Sequence, residues 1–517
     1  MHSEKSKNQF IYGCTILYLI GYWYFSFDGI TFSDDVVYME FGKLFWEGKA
    51  FPYPTHFADR WGTYIFSGLL THTFGFNERI AATASLTSYI LTYSILFSLL
   101  NKSQQRLGFS LLYVGQVYFM YFIHKVYPDS VLLLFITVIL WSAIRRHERP
   151  KLAGILMAAS FLIGFSTKET IVFLLPMPLF LLAKDWKTNN SKCFYQVFFA
   201  CSIILLLGYF GYYHIYNGNW LFRFSSVNEG HYISEYTYHD KGWKAILQRL
   251  TYVPILTFIE RSFWPYMIGA FPALLHGIKG TDDTQKIISW AVVCLFTGFW
   301  FMSSTLEFYN PLYLNPRHLI ILIPLLAWLI AYSIPCVLLQ RSNLIFFAFS
   351  FVFAAILSWN SFMLLSFYSS LAIFMLLILY LPKAKWGILL WLFLPGMASS
   401  LYHYQNKNYP HLKEAYRIFA ESSSADLKLA NDFLVFSNEV LLTNSSAGNV
   451  HSLKNWEALM QHPPKSMDIF IYNFYKHAYP LEQEDWDGLQ HALQQRNYRS
   501  TLLSQDKWVE IWRFENP

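Results

Sequence analysis

Long apolar runs separated by short polar connections fill most of the chain. They fall at about 10–27, 79–100, 107–123, 130–144, 152–166, 170–184, 194–215, 262–278, 288–304, 318–338, 344–358, 362–381 and 386–401. A helix needs roughly 20 apolar residues to cross a bilayer, so the pattern predicts about thirteen transmembrane helices. At about Tyr402 the pattern changes. Leu412 to Leu429 reads as an amphipathic helix. Phe433-Leu-Val-Phe-Ser and Met467-Asp-Ile-Phe-Ile-Tyr read as buried strands, Leu453 to Met460 and Leu481 to Gln495 as helices, and Tyr498 to Phe514 as a closing hairpin. The expected fold is therefore a polytopic α-helical membrane domain, residues 1–401, followed by a small extracytoplasmic α/β domain, residues 402–517. No internal repeat is visible.

Composition supports the membrane reading. Of 517 residues, 54% are hydrophobic and only 14% charged, and aromatics reach 20%. The net charge of +6 comes without a concentrated basic tract or a nucleic-acid motif, so a nucleic-acid partner is not expected. Cys14, Cys193, Cys201, Cys294 and Cys336 lie in or beside apolar runs and form no CxxC, so neither zinc nor a disulfide framework is expected. The first apolar run lacks a small-residue cleavage site and reads as an uncleaved signal anchor.

Charge sets the expected orientation in the inner (plasma) membrane. Lys5 and Lys7 share a side with Lys102 and Arg106, with Arg145, Arg146, Arg149 and Lys151, with Lys184, Lys187 and Lys192, with Lys279 and Lys286, with Arg341, and with Lys383 and Lys385. By the positive-inside rule that side, and the N-terminus, is cytoplasmic. Residues 28–78, 216–261 and 402–517 then lie outside. Three short outer connections break the rule by holding Lys125, Lys168 and Arg317. Such cations either pair with carboxylates and headgroups or converge on an anion.

The first outer loop holds the densest chemistry. From Asp34 to Trp46 it has helical spacing, with Val37, Phe41, Leu44 and Phe45 on one side, as in a helix lying on the membrane surface. Asp34 and Asp35 open it, either as helix-end carboxylates or as reactive acids. Tyr38 follows one turn later. His56, Asp59 and Arg60 form a second polar segment, read either as interface residues or as site residues. Asp129 follows Pro128 at an outer helix end, where it could act as a cap. Lys168 and Glu169 adjoin and could form a private pair. His318 beside Arg317 reads as a packed interface residue.

The order Asp34-Asp35-x-x-Tyr38, Arg60, Pro128-Asp129, Thr167-Lys168-Glu169 and Arg317, followed by an external tail, resembles the superfamily-C glycosyltransferases that use lipid-phosphate sugars. Protein O-mannosyltransferases, bacterial aminoarabinose transferases and lipopolysaccharide-core sugar transferases are members. The resemblance covers about residues 10–400. Many relatives have Asp-Glu where this chain has Asp34-Asp35, and Lys-Pro-Pro where it has Arg60-Trp61-Gly62. The resemblance implies a membrane glycosyltransferase that moves a sugar from a polyprenyl-phosphate donor to a hydroxyl of a glycan, lipid or protein acceptor, with inversion. It implies Asp34 or Asp35 as the base, Asp34 matching the family's first acid, and Arg60, Lys168 and Arg317 as phosphate contacts. Tyr38, His56, Asp59, Asp129 and Glu169 are further candidates. A divalent metal on the loop carboxylates stays open, and no cofactor is otherwise expected. Two other classes share these features. A secondary transporter would show inverted repeats and broken helices at mid-membrane. A polysaccharide polymerase or ligase would use a pyrophosphate-linked donor and loop arginines, for which Arg223, Arg249 and Arg261 are available.

Overall fold

The computed structural model describes residues 2–51, 56–188, 191–230, 237–305, 307–334, 340–381, 385–422, 424–443, 450–475 and 480–516. Each apolar run predicted from sequence falls on a helix. Among the described residues, seven helices are by themselves long and apolar enough to cross a membrane, or eight if one bent pair counts as a span. That is fewer than the thirteen or so runs suggest, and some runs are broken or irregular. Ser103–Tyr113 and Val117–His124 meet at 70°. The run at 170–184 opens as a 3-10 segment, Glu169–Leu174, before Pro176 starts the helix. Pro272 and Pro395 lie inside Trp264–Lys279 and Lys385–Lys407, which continue through them although each proline removes one backbone donor. Residues 335–339, which end the run at 318–338, lie outside the described residues.

The chain divides into two compact units. The first comprises residues 1–23, 50–66 and 83–397. It is a multi-pass membrane architecture with one continuous apolar core, in which Trp328, Phe119, Leu132 and Leu295 are fully buried. Local signals start its helices where the site needs them. Pro128 and Pro150 open Pro128–Arg145 and Pro150–Thr167, where a missing N–H costs nothing. The Asn315 side chain caps the next backbone turn by accepting from the N–H of Arg317 at 3.1 Å.

The second unit comprises residues 24–49, 67–82 and 398–517. Its five strands are β1 (Leu427–Ala430), β2 (His451–Ser452), β3 (Ser466–Tyr472), β4 (Arg499–Gln505) and β5 (Val509–Glu515), in the order β2-β1-β3-β5-β4. β1 runs parallel to β2 and β3; β5 runs antiparallel to β3 and β4. Side chains alternate across β3. Met467, Ile469 and Ile471 pack with Trp486, Leu489 and Leu493 of helix Pro480–Gln495. Phe470 meets Tyr416 and Phe419 of helix Tyr409–Ser422 on the other face.

Four tail elements match their sequence reading: β3, the Leu481–Gln495 helix, the β4–β5 hairpin, and the helix read at Leu453–Met460, which forms as a 3-10 turn, Leu453–Asn455, running into Trp456–Leu459. Two differ. Phe433 to Ser437 is not a strand; Asp432–Phe436 is helical, with the N–H groups of Asp432 and Phe433 held at 3.2 Å by the Glu482 carboxylate. A carboxylate at a helix N-terminus outweighs a short apolar run that fits either structure. The helix expected to reach Leu429 ends at Ser422, and β1 takes residues 427–430.

Candidate functional site

The acidic segment lies in the second unit. Its helix runs Asp34–Trp46, the bounds read from sequence. The loop before it carries two left-handed residues, Gly29 at φ 88° and Phe32 at φ 56°. Gly29 is required by space as well, since a Cβ there would lie 2.1 Å from Cγ of Tyr409. For a bulky side chain such as Phe32 that conformation costs on the order of 1–3 kcal/mol. The loop folds around Asp35, which is 1% exposed. Its Oδ2 accepts from the Thr31 N–H at 2.7 Å. Its Oδ1 accepts from the Thr31 hydroxyl at 2.7 Å and from the N–H groups of Ser33 at 3.2 Å and Val36 at 3.1 Å. Asp34 is more exposed and accepts from the Ser33 hydroxyl at 3.4 Å. Tyr38 is buried on the same helix.

A second set of charges gathers in the first unit, where Pro128–Arg145 begins and Pro150–Thr167 ends. Lys168, the residue that closes the latter helix, donates to Asp129 Oδ1 at 2.6 Å. Asp129 is 0% exposed, and its Oδ2 has no partner among the described residues. Glu169 accepts from Arg60 at 3.2 Å and from the wholly buried Arg223. Asp59 accepts from Ser226 at 2.6 Å and Tyr213 at 3.1 Å, with Arg223 at 3.9 Å. The His56 carbonyl accepts from Arg223 at 3.4 Å. Arg317 lies over the Tyr127 ring at 4.9 Å and reaches His318 at 3.4 Å.

Gly62 explains how Arg60 gets there. A Cβ at Gly62 would lie 2.0 Å from the Thr167 hydroxyl, and the Thr63 hydroxyl donates to the Thr167 carbonyl at 3.2 Å. The start of helix Trp61–Phe74 therefore sits directly on the end of Pro150–Thr167, beside Glu169.

The electrostatics are uneven. Burial pushes the Lys168 ammonium down to about 8, and the positive charges of Arg317 and Arg60 add to this against the pull of Asp129. Burial would raise Glu169, but Arg60 and Arg223 together hold its carboxyl well below the usual range.

Residues 62–209 match the family described as dolichyl-phosphate-mannose-protein mannosyltransferase. Among solved structures, ArnT from Cupriavidus metallidurans bound to undecaprenyl phosphate aligns over 97% of both chains, with a TM-score of 0.59 at 13% identity. The apo state of ArnT from the same organism aligns over 97% of both chains, at 0.57 and 12%. The chain has the fold of ArnT. No curated protein gives a significant match.

Within this ArnT-like fold the first unit brings together seven of the candidates: His56, Asp59, Arg60, Asp129, Lys168, Glu169 and Arg317. Asp34, Asp35 and Tyr38 belong to the other unit. Lys168 and Glu169 do not pair with each other; each turns to a different partner. Sequence reasoning missed Arg223 and Tyr213 as members of the set. Arg223 was visible only as one of three loop arginines, and these go to separate partners. Arg249 donates to the carbonyls of Phe299 and Leu312, and Arg261 to the Tyr118 hydroxyl. Among the described residues, no three His, Cys, Asp or Glu side chains group as a metal ligand set.

Proposed function

We propose that this protein is a membrane glycosyltransferase that moves a sugar from a polyprenyl-phosphate donor to an acceptor hydroxyl at the outer face of the inner membrane, in modification of lipopolysaccharide or another envelope glycan. The observation that carries this reading is the crowding of Arg60, Lys168 and Arg317. Burial, with the positive charges of Arg317 and Arg60 added to it, depresses Lys168 even beside its partner Asp129 at 2.6 Å. An anionic phosphate would offset these charges. The ArnT structure was obtained with undecaprenyl phosphate, a ligand of that class, and the 62–209 family match names a lipid-phosphate sugar donor.

In this mechanism Asp34 takes the proton from the acceptor hydroxyl. The oxygen attacks the anomeric carbon, the bond from that carbon to the phosphate oxygen breaks, and the electron pair leaves with the polyprenyl phosphate. Direct displacement inverts the anomeric centre. Arg60, Lys168 and Arg317 stabilise the departing phosphate, which needs no general acid. Asp34 suits the base because Asp35 is committed to the loop by four donated hydrogen bonds. Glu169 and Arg223 hold Arg60 in place, and Asp129 balances Lys168. By the lysine and arginine distribution the N-terminus is cytoplasmic, and residues 402–517 lie outside and help to position the acceptor.

The test is Asp34→Asn in the full-length protein. Loss of a positioned base lowers transfer by about 10²–10⁴-fold, while binding of undecaprenyl phosphate stays intact. Mass spectrometry of envelope glycans from cells with and without the gene identifies the modified product. Transfer by Asp34→Asn at the wild-type rate removes Asp34 as the base.

A further inference from the structure

We propose that the C-terminal tail positions the acid pair, through a buried ion pair between Asp28 and Lys407 and an aromatic seat for Phe32. The inference rests on reading Asp34 as the base and assigns positioning roles to residues that touch no substrate. All of the groups involved lie within the second unit.

Asp28 opens the loop that leads to the acids, and Lys407 ends helix Lys385–Lys407. Their side chains are 1% and 4% exposed and meet at 2.8 Å. Removing two such charges from water is costly, so a buried pair contributes little to stability; its best-attested use is to fix register. The Lys407 carbonyl accepts from the Tyr472 hydroxyl, which ties the pair to the last residue of β3.

The chain then turns at Asn408, φ 42°, into Tyr409, whose ring lies against Gly29. Phe32 is the strained residue of the loop, and its ring is held by Tyr409 at 6.3 Å, Phe433 at 5.3 Å and Tyr472 at 6.4 Å. All three belong to the tail. Lys413 adds a third tie, donating to both oxygens of Glu78 at 3.0 and 2.9 Å. A bulky left-handed residue persists only where its surroundings over-determine it. Here the strain sits two residues before Asp34, and the surroundings come from a segment about 400 residues later in the chain. Thr31 and Ser33, on either side of Phe32, are the residues that grip Asp35. Asp34 and Asp35 point about 100° apart on the helix. Any relaxation of the loop therefore turns Asp34 away from its aim.

The experiment uses full-length protein in detergent, with two readouts. Binding is measured with undecaprenyl phosphate. Turnover is measured as loss of radiolabelled sugar from the source cell's own lipid extract and is expressed per binding-competent molecule, so that any unfolded fraction drops out. Lys407→Met is expected to lower turnover per competent molecule by about 10–100-fold, the effect of a small misplacement of a reacting group, with undecaprenyl phosphate affinity within about twofold of wild type. Lys407→Arg, which keeps the charge, is expected to restore most of the turnover. Wild-type turnover per competent molecule in Lys407→Met overturns the inference. Asp34→Asn run alongside separates the two claims. If it is inactive while Lys407→Met is fully active, only the positioning role fails; if it is active, the base assignment itself fails.

Discussion

Two buried charge clusters sit at opposite ends of helix Pro128–Arg145, and they are built differently. At its C-terminal end Arg146 is 0% exposed and every guanidinium nitrogen has a partner. Nε and Nη2 bind the two oxygens of Asp185 at 2.7 and 3.1 Å, and Nη1 binds the Ala143 carbonyl at 2.8 Å and Asp283 at 3.0 Å. Tyr195 and Lys184 complete the two carboxylates. This cluster is closed. At the N-terminal end, about 27 Å away by helix rise, Asp59, Asp129 and Glu169 face Arg60, Lys168, Arg223 and Arg317, and an oxygen of Asp129 and Nε of Arg223 are buried without partners among the described residues. A closed network holds helices together. The second network sets four cations against three carboxylates, and on the proposed function the phosphate is the anion that balances the excess.

The largest expected effect breaks the closed cluster. Arg146→Met leaves the buried Asp185 without its cation, while Asp283 keeps Lys184; this should lower stability by about 3–5 kcal/mol and show as a fall in melting temperature and membrane yield. The molecules that do fold should bind undecaprenyl phosphate normally. Arg317→Met tests the other end. It should weaken undecaprenyl phosphate binding about 10–100-fold, the loss of one charge-assisted contact of about 1.5–3 kcal/mol, with little change in melting temperature. If Arg317→Met destabilises the protein as Arg146→Met does, both clusters are structural and the distinction falls.

Gly62→Ala gives a subtler perturbation. The new methyl meets the Thr167 hydroxyl and the Ile163 carbonyl, and overpacking of this kind typically costs about 1–3 kcal/mol. Separation of Arg60 from Glu169 should also raise the donor Michaelis constant, whereas Gly13→Ala, where a Cβ meets nothing within 4 Å, should leave that constant unchanged.

The smallest effect is in pH. Lys168 has its proton affinity lowered from 10.5 to about 8. As pH rises through about 8 the folded protein loses this cation, and undecaprenyl phosphate affinity should fall by up to about tenfold per unit of lost protonation. Between about 8 and 10.5 the unfolded chain holds the proton and the folded chain does not. The contribution of Lys168 to stability therefore rises with pH across that window. Affinity and stability should move in opposite directions, and Lys168→Arg should abolish the fall in affinity.

Much of this was legible in the sequence, and the gaps have physical causes. Apolar runs near 20 residues locate helices because the bilayer sets their length, and the helix Asp34–Trp46 follows from its spacing. The 70° bend after Tyr113 and the 3-10 opening at Glu169–Leu174 fall inside apolar runs, whose apolar character is the same on either side of them. Phe433 to Ser437 is too short for periodicity to separate strand from helix. Lys168 and Glu169 adjoin in sequence but diverge because one closes a helix in extended backbone and the other opens a 3-10 turn. Arg223 meets Glu169 across 54 residues of chain, a pairing that no local pattern announces. Gly62 supplies the close approach to Thr167, a contact between helices that its place in the chain does not announce.

Lys168→Ala alone would strand the 0% exposed Asp129, so it destabilises the protein whether or not a phosphate binds there. The most direct test therefore removes both charges together. In Asp129→Asn/Lys168→Gln the buried pair is replaced by neutral side chains of similar size that can hydrogen-bond to each other. The measurement is the affinity of this variant for undecaprenyl phosphate, taken beside its melting temperature without ligand. The melting temperature should stay close to wild type, with binding weakened at least tenfold and the stabilisation by ligand lost. Wild-type affinity in the folded double variant would contradict it.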